Sequence, residues 1–219
     1  MKKKNEIKIA RTYLSIITLG DTTVGKTCLA QCFIGNEFKE IKLSTIGQEC
    51  FTKVVNIKDH EIKIKIWDTA GQERYRSIAI SSIRNSNGVL LVYDITKLNT
   101  YETLEYWFKQ IKNVLEIKDT PIVLVGNKND LENERKVSYE KGEEFAKNHG
   151  IKFFECSAKT KTNVEEAFNC LINDIYIKHE NEFTIDTKNI NLTVKKKKKI
   201  VVKNVYISYY IYNIKCLIR

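Results

Sequence analysis

The sequence contains one proline, Pro121, three histidines and no run of 18 or more apolar residues. The last absence removes any expectation of a transmembrane helix. Six cysteines are present, Cys28, Cys32, Cys50, Cys156, Cys170 and Cys216, but none form a C-x-x-C pair and no histidines gather near them. Neither a zinc site nor a disulfide framework is indicated, so buried, reduced thiols in a cytosolic protein are expected. The basic start from Met1 to Lys4 runs into no apolar stretch of the kind a signal peptide carries, and Lys2 stands where N-myristoylation needs glycine. No internal repeat is present.

What is there suits a folded chain. Apolar residues make up 42% of the 219 positions, too many for disorder throughout. The net charge of +10 is uneven. Residues 1–10 carry +3 and residues 181–219 carry +7, while residues 11–180 hold 24 basic and 24 acidic side chains. A nucleic-acid-binding domain concentrates positive charge on its folded face. A neutral body between basic ends instead fits a domain working near anionic lipid, with no nucleic-acid partner. The expected division is a basic N-terminal extension over 1–10, one domain over 11–180 and a basic tail over 181–219.

Apolar runs alternate with segments of helical period. Strands are expected at 14–19, 49–57, 61–67, 88–94, 122–127 and 152–155, and helices from about Lys26, at 100–118, 138–149 and 163–179. Ile62, Ile64 and Ile66 alternate with Lys63 and Lys65, as in a half-exposed strand. The runs GVLLVYD and IVLVGN are nearly continuous, as in strands covered on both faces. Strands alternating with helices imply an α/β fold, a mostly parallel sheet flanked by helices.

Gly20-Asp21-Thr22-Thr23-Val24-Gly25-Lys26-Thr27 matches G-x-x-x-x-G-K-[ST] between a strand and a helix. Such a loop wraps an anion in consecutive backbone N–H groups, and the following helix adds the positive end of its dipole. Lys26 would reach the β- and γ-phosphates and the Thr27 hydroxyl would bind Mg²⁺. The candidate nucleotide contacts continue into the helix at Cys28. By itself the motif does not separate ATP from GTP.

Asp68 ends a strand in Trp67-Asp68-Thr69-Ala70-Gly71-Gln72-Glu73, where a carboxylate can hold the metal. The Gly71 N–H can bond a γ-phosphate, and the Gln72 amide can orient the attacking water. Asn127-Lys128-Asn129-Asp130 begins at the end of another strand. A carboxylate at Asp130 can accept from guanine N1–H and the 2-amino group; adenine offers no such donor pair and would leave the carboxylate desolvated and unpaired. Asn127 can brace the loop, and the Lys128 stem can lie on the base. After the last expected strand, Ser157-Ala158-Lys159 places the Ala158 N–H to read guanine O6. Four elements in one order, each at a strand's C-terminal edge, is the placement ligands take in such sheets.

These residues resemble the Ras superfamily of small GTPases, specifically its Rab branch, over about residues 11–178. Lys65-Ile66-Trp67, Gln72-Glu73-Arg74-Tyr75-Arg76 and Leu91-Val92-Tyr93-Asp94-Ile95-Thr96 are Rab-like as well. The resemblance implies a P-loop NTPase fold of six strands and five helices, binding of GTP and GDP with Mg²⁺, and slow hydrolysis by a switch serving vesicle traffic. It makes Thr45 a metal ligand of the GTP state, with Thr27 and Asp68, and sets the Phe38 aromatic against the guanine. It implies catalytic roles for Gln72, Thr45 and Lys26. It also implies exchange factor, GAP, GDI and effector partners, a monomer, and a cytoplasmic protein peripheral on endomembranes in the GTP state. The rival readings are a nucleotide-dependent scaffold with negligible catalysis, an ATP-using phosphotransferase, and another branch of the superfamily.

The sequence also departs from the family. Where Rab proteins present three effector-facing aromatics, this chain keeps only Trp67; Cys50 and Ser82 take the other two places, with Phe51 one position late and Lys42 replacing a further aromatic. The tail holds the basic run 195–199 and ends Cys216-Leu217-Ile218-Arg219, a C-a-a-X outline with an unusual last residue. Three readings stand: prenylation of Cys216, a basic and aromatic tail lying on membrane without lipid, or a gene end that is no folding element. The last two rank above the first.

Overall fold

Six strands form one sheet in the order β2-β3-β1-β4-β5-β6. The computed structural model describes residues 13–38, 45, 47–58, 60–70, 76–115 and 120–183. The strands are β1 (Tyr13–Leu19), β2 (Gln48–Ile57), β3 (His60–Thr69), β4 (Gly88–Asp94), β5 (Ile122–Asn127) and β6 (Lys152–Cys156). Only the β2–β3 pair is antiparallel, a hairpin in which Ile57 faces His60; every other pairing is parallel. The helices among the described residues are α1 (Lys26–Phe33), α2 (Arg76–Ile83), α3 (Leu98–Glu102), α4 (Leu104–Val114), α5 (Tyr139–His149) and α6 (Val164–Phe183), with a 3₁₀ turn at Asn129–Glu134.

The period-2 geometry of strands sorts the apolar residues into two cores. Leu14 and Ile16 of β1, Leu90 and Val92 of β4, and Val123 and Val125 of β5 pack against α1 and α6. Ile17, Leu19, Val89, Leu91 and Leu124 face the other way, onto Trp107 and Phe108 of α4 and Phe145 of α5. Each such side chain, fully buried, contributes about 1.5–3 kcal/mol. This explains why β4 and β5 read as continuous apolar runs.

β4 and β5 have the bounds expected from sequence. Six helices appear instead of five because the expected 100–118 helix is divided at Thr103. That residue keeps helical angles (φ −80°, ψ −6°), and Thr103 N–H still bonds Asn99 C=O, so α3 and α4 meet at a kink and not a loop. α4 ends at Val114, and residues 116–119 lie outside the described set. α2 was not expected from periodicity. α6 reaches Phe183, four residues beyond the expected end. The segments 1–12 and 184–219, with the tail readings and Cys216, also lie outside the described residues.

Candidate functional site

Parallel strands bring their C-terminal ends to one edge. Gly20 follows β1, Asp68 lies at the end of β3, Asp94 and Asn127 close β4 and β5, and Ser157 follows β6. β1 sits between β3 and β4, so the loop it feeds emerges where the strand order reverses, the usual ligand crevice of open α/β sheets.

The phosphate-loop backbone is fixed by contacts that leave no room for side chains at its two glycines. A Cβ on Gly20 (φ +137°) would lie 2.1 Å from the Val92 carbonyl oxygen, and one on Gly25 (φ +97°) 2.2 Å from Asn127 Nδ2. Gly25 caps α1 without a side-chain hydrogen bond, and no acidic residue stands in the first turn. The Ncap side of α1 thus carries no capping side chain, and no acidic residue of the helix's own first turn offsets its dipole.

Lys26 is buried, and its ammonium donates to the Gly20 carbonyl at 3.0 Å and the Asp21 carbonyl at 2.7 Å. Burial pulls its pKa down to about 8, against the opposing fields of Asp68 and Asp21. A buried cation directed at carbonyls is suited to an anionic ligand.

Oxygens from α1, from β3 and from the segment ahead of β2 meet beside it. Thr27 Oγ1 donates to Asp68 Oδ2 at 2.5 Å and lies 2.9 Å from Thr45 Oγ1, which is 3.4 Å from the same carboxylate oxygen. Thr18 Oγ1 donates to Asp68 Oδ1 at 3.1 Å. Burial raises the Asp68 pKa, while the Thr27 hydrogen bond, the Lys26 charge and the Thr18 and Thr45 hydroxyls oppose the rise. Hydroxyl and carboxylate oxygens are the donor set that suits Mg²⁺. No group of three His, Cys, Asp or Glu able to hold a metal occurs among the described residues, as a hydroxyl-rich site requires none. The residues present therefore fit the metal. Thr45 lies ahead of the start of β2 at Gln48, inside this cluster.

The base-side loops are tied to the phosphate side by one residue. Asn127, 2% exposed, donates from Nδ2 to Val24 C=O at 2.8 Å and accepts from Ala158 N–H at 3.4 Å. Ser157 Oγ donates to Asp130 Oδ1 at 2.6 Å and accepts from the N–H groups of Lys159 and Thr160, which orients the carboxylate. Lys128 leaves β5 in the left-handed region (φ 72°), and its Nζ lies 2.6 Å from Oδ2 of the fully buried Asp94, an ion contact more than an aligned hydrogen bond. Asp94 Oδ1 accepts from the Thr96 backbone and hydroxyl. Asn129 reaches the Glu155 carbonyl. Phe38 is 39% exposed and has not joined the core.

The structure thus brings together Lys26, Thr27, Thr45 and Asp68 in one cluster and Asn127, Asp130, Ser157 and Ala158 in another, joined through Val24. Thr22, Thr23 and Cys28 lie on the same loop and helix. Gly71 and Gln72 lie outside the described residues, as does Lys42. Sequence reading missed Thr18, Asp94, Thr103 and Trp107; only Thr18, a polar residue inside the apolar strand leading to the glycine loop, gave a local signal. On the outer face of the hairpin, exposed Cys50 pairs with Trp67. Phe51 points to the opposite face and packs on the α1–α6 core, so it does not replace the aromatic missing at Cys50. Ser82 Oγ donates to Gln48 Oε1 at 2.9 Å.

Comparison with known proteins agrees with this geometry. The model of the Ras family matches residues 15–177. Over 163 residues, 74% of this chain and 80% of the relative, the chain is 43% identical to Ras-related protein Rab-13 of Mesocricetus auratus and 42% identical to those of Canis lupus familiaris and Bos taurus. Proteins of this family bind guanine nucleotides, generally with Mg²⁺. The chain belongs to the Ras family of small GTPases and is a Rab-type, GTP-hydrolysing switch, of the kind that generally serves vesicle traffic.

Proposed function

We propose that this chain holds GTP or GDP with Mg²⁺ at the strand edge described above and cleaves the γ-phosphate slowly. The convergence of Thr27, Thr45 and Asp68 oxygens beside the buried Lys26 ammonium carries this reading. Bound Mg²⁺ supplies neutralising charge to the β- and γ-phosphates. Thr27, Thr45 and Asp68 would hold it. Lys26 exchanges carbonyl partners for phosphate oxygens, and the N–H groups from Gly20 through Cys28 wrap the rest.

On the base side, Asp130, oriented by Ser157, accepts from the guanine N1–H and 2-amino group. The Ala158 N–H, only weakly engaged with Asn127, reads O6. The Lys128 stem and the Phe38 ring flank the base, and Lys159 completes the loop. Gly71 N–H is assigned to the γ-phosphate and the Gln72 amide to the attacking water. Unassisted turnover is slow, and a GAP accelerates it by roughly 10³–10⁵.

The switch then works with an exchange factor, GDI and effectors, as a monomer, peripheral on endomembranes in the GTP state. Residues 11–180 form the nucleotide-binding domain, between the basic extension 1–10 and the tail 181–219, which approaches anionic membrane. The test is competition of GDP and ADP for the purified, magnesium-loaded chain, with single-turnover GTP hydrolysis in Gln72→Leu. A strong guanine preference and a hydrolysis rate lost in the variant are expected. Equal affinity for the two purines refutes the base assignment, and unchanged hydrolysis refutes the role of Gln72.

A further inference from the structure

A phosphate-binding loop that carries an aspartate faces an electrostatic problem. Asp21 follows Gly20 directly, so its carboxylate belongs to the loop that must cradle an anion. Two like charges a few ångströms apart in a partly desolvated site repel strongly. The structure holds this carboxylate on the α4 side. Thr103 Oγ1 donates to Asp21 Oδ2 at 2.8 Å, and the Trp107 indole N–H donates to Asp21 Oδ1 at 3.0 Å. Trp107 is 1% exposed and packed in the α4–α5 core, so its donor is rigidly placed. The Thr103 hydroxyl also lies 3.0 Å from the Thr100 carbonyl, a longer contact than the one to Asp21. Two residues further along the loop, Thr23 sits in the left-handed region (φ 63°), and its hydroxyl accepts from Lys97 Nζ at 3.1 Å. All three donors come from the single stretch 97–107 that follows β4.

We propose that this stretch is a brace for the phosphate loop, in which Thr103 and Trp107 hold the Asp21 carboxylate away from the bound phosphates and so slow nucleotide release. This rests on the nucleotide reading above. Thr103 and Trp107 are positioning residues, acting through Asp21 and not on the nucleotide. With either donor removed, the carboxylate is freer to turn toward the phosphates, and the loop it belongs to loosens.

The experiment is release of a fluorescent GDP analogue from the full chain in the presence of Mg²⁺, followed after addition of excess GDP. Thr103→Val, which keeps shape but loses the hydroxyl, should speed release about tenfold, the scale of one charge-assisted hydrogen bond. Thr103→Ser should stay within about twofold of the parent, since the hydroxyl is retained. Trp107→Phe, which keeps an aromatic ring and loses the donor, should act like Thr103→Val. The deciding variant is Asp21→Ala: on that background Thr103→Val should add nothing, because no carboxylate remains to be held. An equal acceleration with and without Asp21 would mark a packing effect and overturn the brace. Release unchanged in both Thr103→Val and Trp107→Phe, from a wild-type chain that binds GDP, overturns the brace alone. A wild-type chain that fails to bind GDP overturns the site assignment and the brace with it.

Discussion

Replacing Asn127 by alanine should detach the phosphate side of the site from its base side. The amide makes two contacts inside the protein: 2.8 Å to Val24 C=O on the loop and 3.4 Å from Ala158 N–H. Both partners are buried, Val24 at 0% and Ala158 at 4% exposure. Truncation leaves a carbonyl and an N–H without their partner, and each buried orphan costs about 1–3 kcal/mol. The long Ala158 contact belongs at the bottom of that range, so the combined loss is about 2–3 kcal/mol. That is a large share of the roughly 5–15 kcal/mol by which a domain is stable. If the bridge orders the two loops for ligand, the same loss appears as a GDP dissociation constant raised roughly 30- to 150-fold. Urea unfolding of the nucleotide-free chain measures the first quantity and calorimetric GDP titration the second. Stability and affinity both within about threefold of wild type, on the equilibrium scale, would refute the claim that this amide couples the two halves.

Three further outcomes are expected. Lys26 is protonated below about 8 when folded and below 10.5 as a free side chain, so the nucleotide-free chain should gain stability relative to Lys26→Met as pH rises from about 8 to 10.5, while GDP affinity, which needs the ammonium, falls over the same window; a stability difference that shrinks, or an affinity that rises, across this window would reject this. Gly20→Ala forces a Cβ to 2.1 Å from a main-chain oxygen of the central β4 strand, which cannot rotate away, and should cost at least about 3 kcal/mol by chemical denaturation. Rab effectors that grip an aromatic triad should bind the GTP form poorly, because Cys50 and Ser82 remove contact area, and Cys50→Phe with Ser82→Tyr should restore capture; equal capture by the parent chain in a pull-down would count against this.

The candidate site's composition was legible because it is local. Gly20 to Thr27, Asp68, Asn127 to Asp130 and Ser157 to Lys159 each form a short word at a strand end, and the apolar runs announced β4 and β5 without ambiguity. What escaped was either weakly patterned or long-range. α2 carries the sequence RSIAISSI, with no acidic residue in its first turn and no basic one in its last, and its isoleucines and serines are poor helix formers. The 3₁₀ turn at Asn129–Glu134 depends on hydrogen bonds such as Leu131 N–H to Lys128 C=O and not on periodicity. The contacts of Asp21 with Thr103 and Trp107 span 82 and 86 positions, a separation no local pattern encodes. The orientation of Phe51 could have been read: strand alternation places it opposite Cys50, and so away from the effector face.

The alignment of the parallel strands also acts as the ruler of the site. Thr18 lies opposite Asp68, and Asp94 opposite Asn127, at the ends of backbone ladders that begin where Tyr13 pairs with Lys63 and Val89 with Ile122. A slip of one position between β1 and β3 would present Trp67 or Thr69 in place of the carboxylate and turn every neighbouring side chain over. A change that shifts β3 along β1 should therefore alter the proposed magnesium site without touching the residues assigned to it.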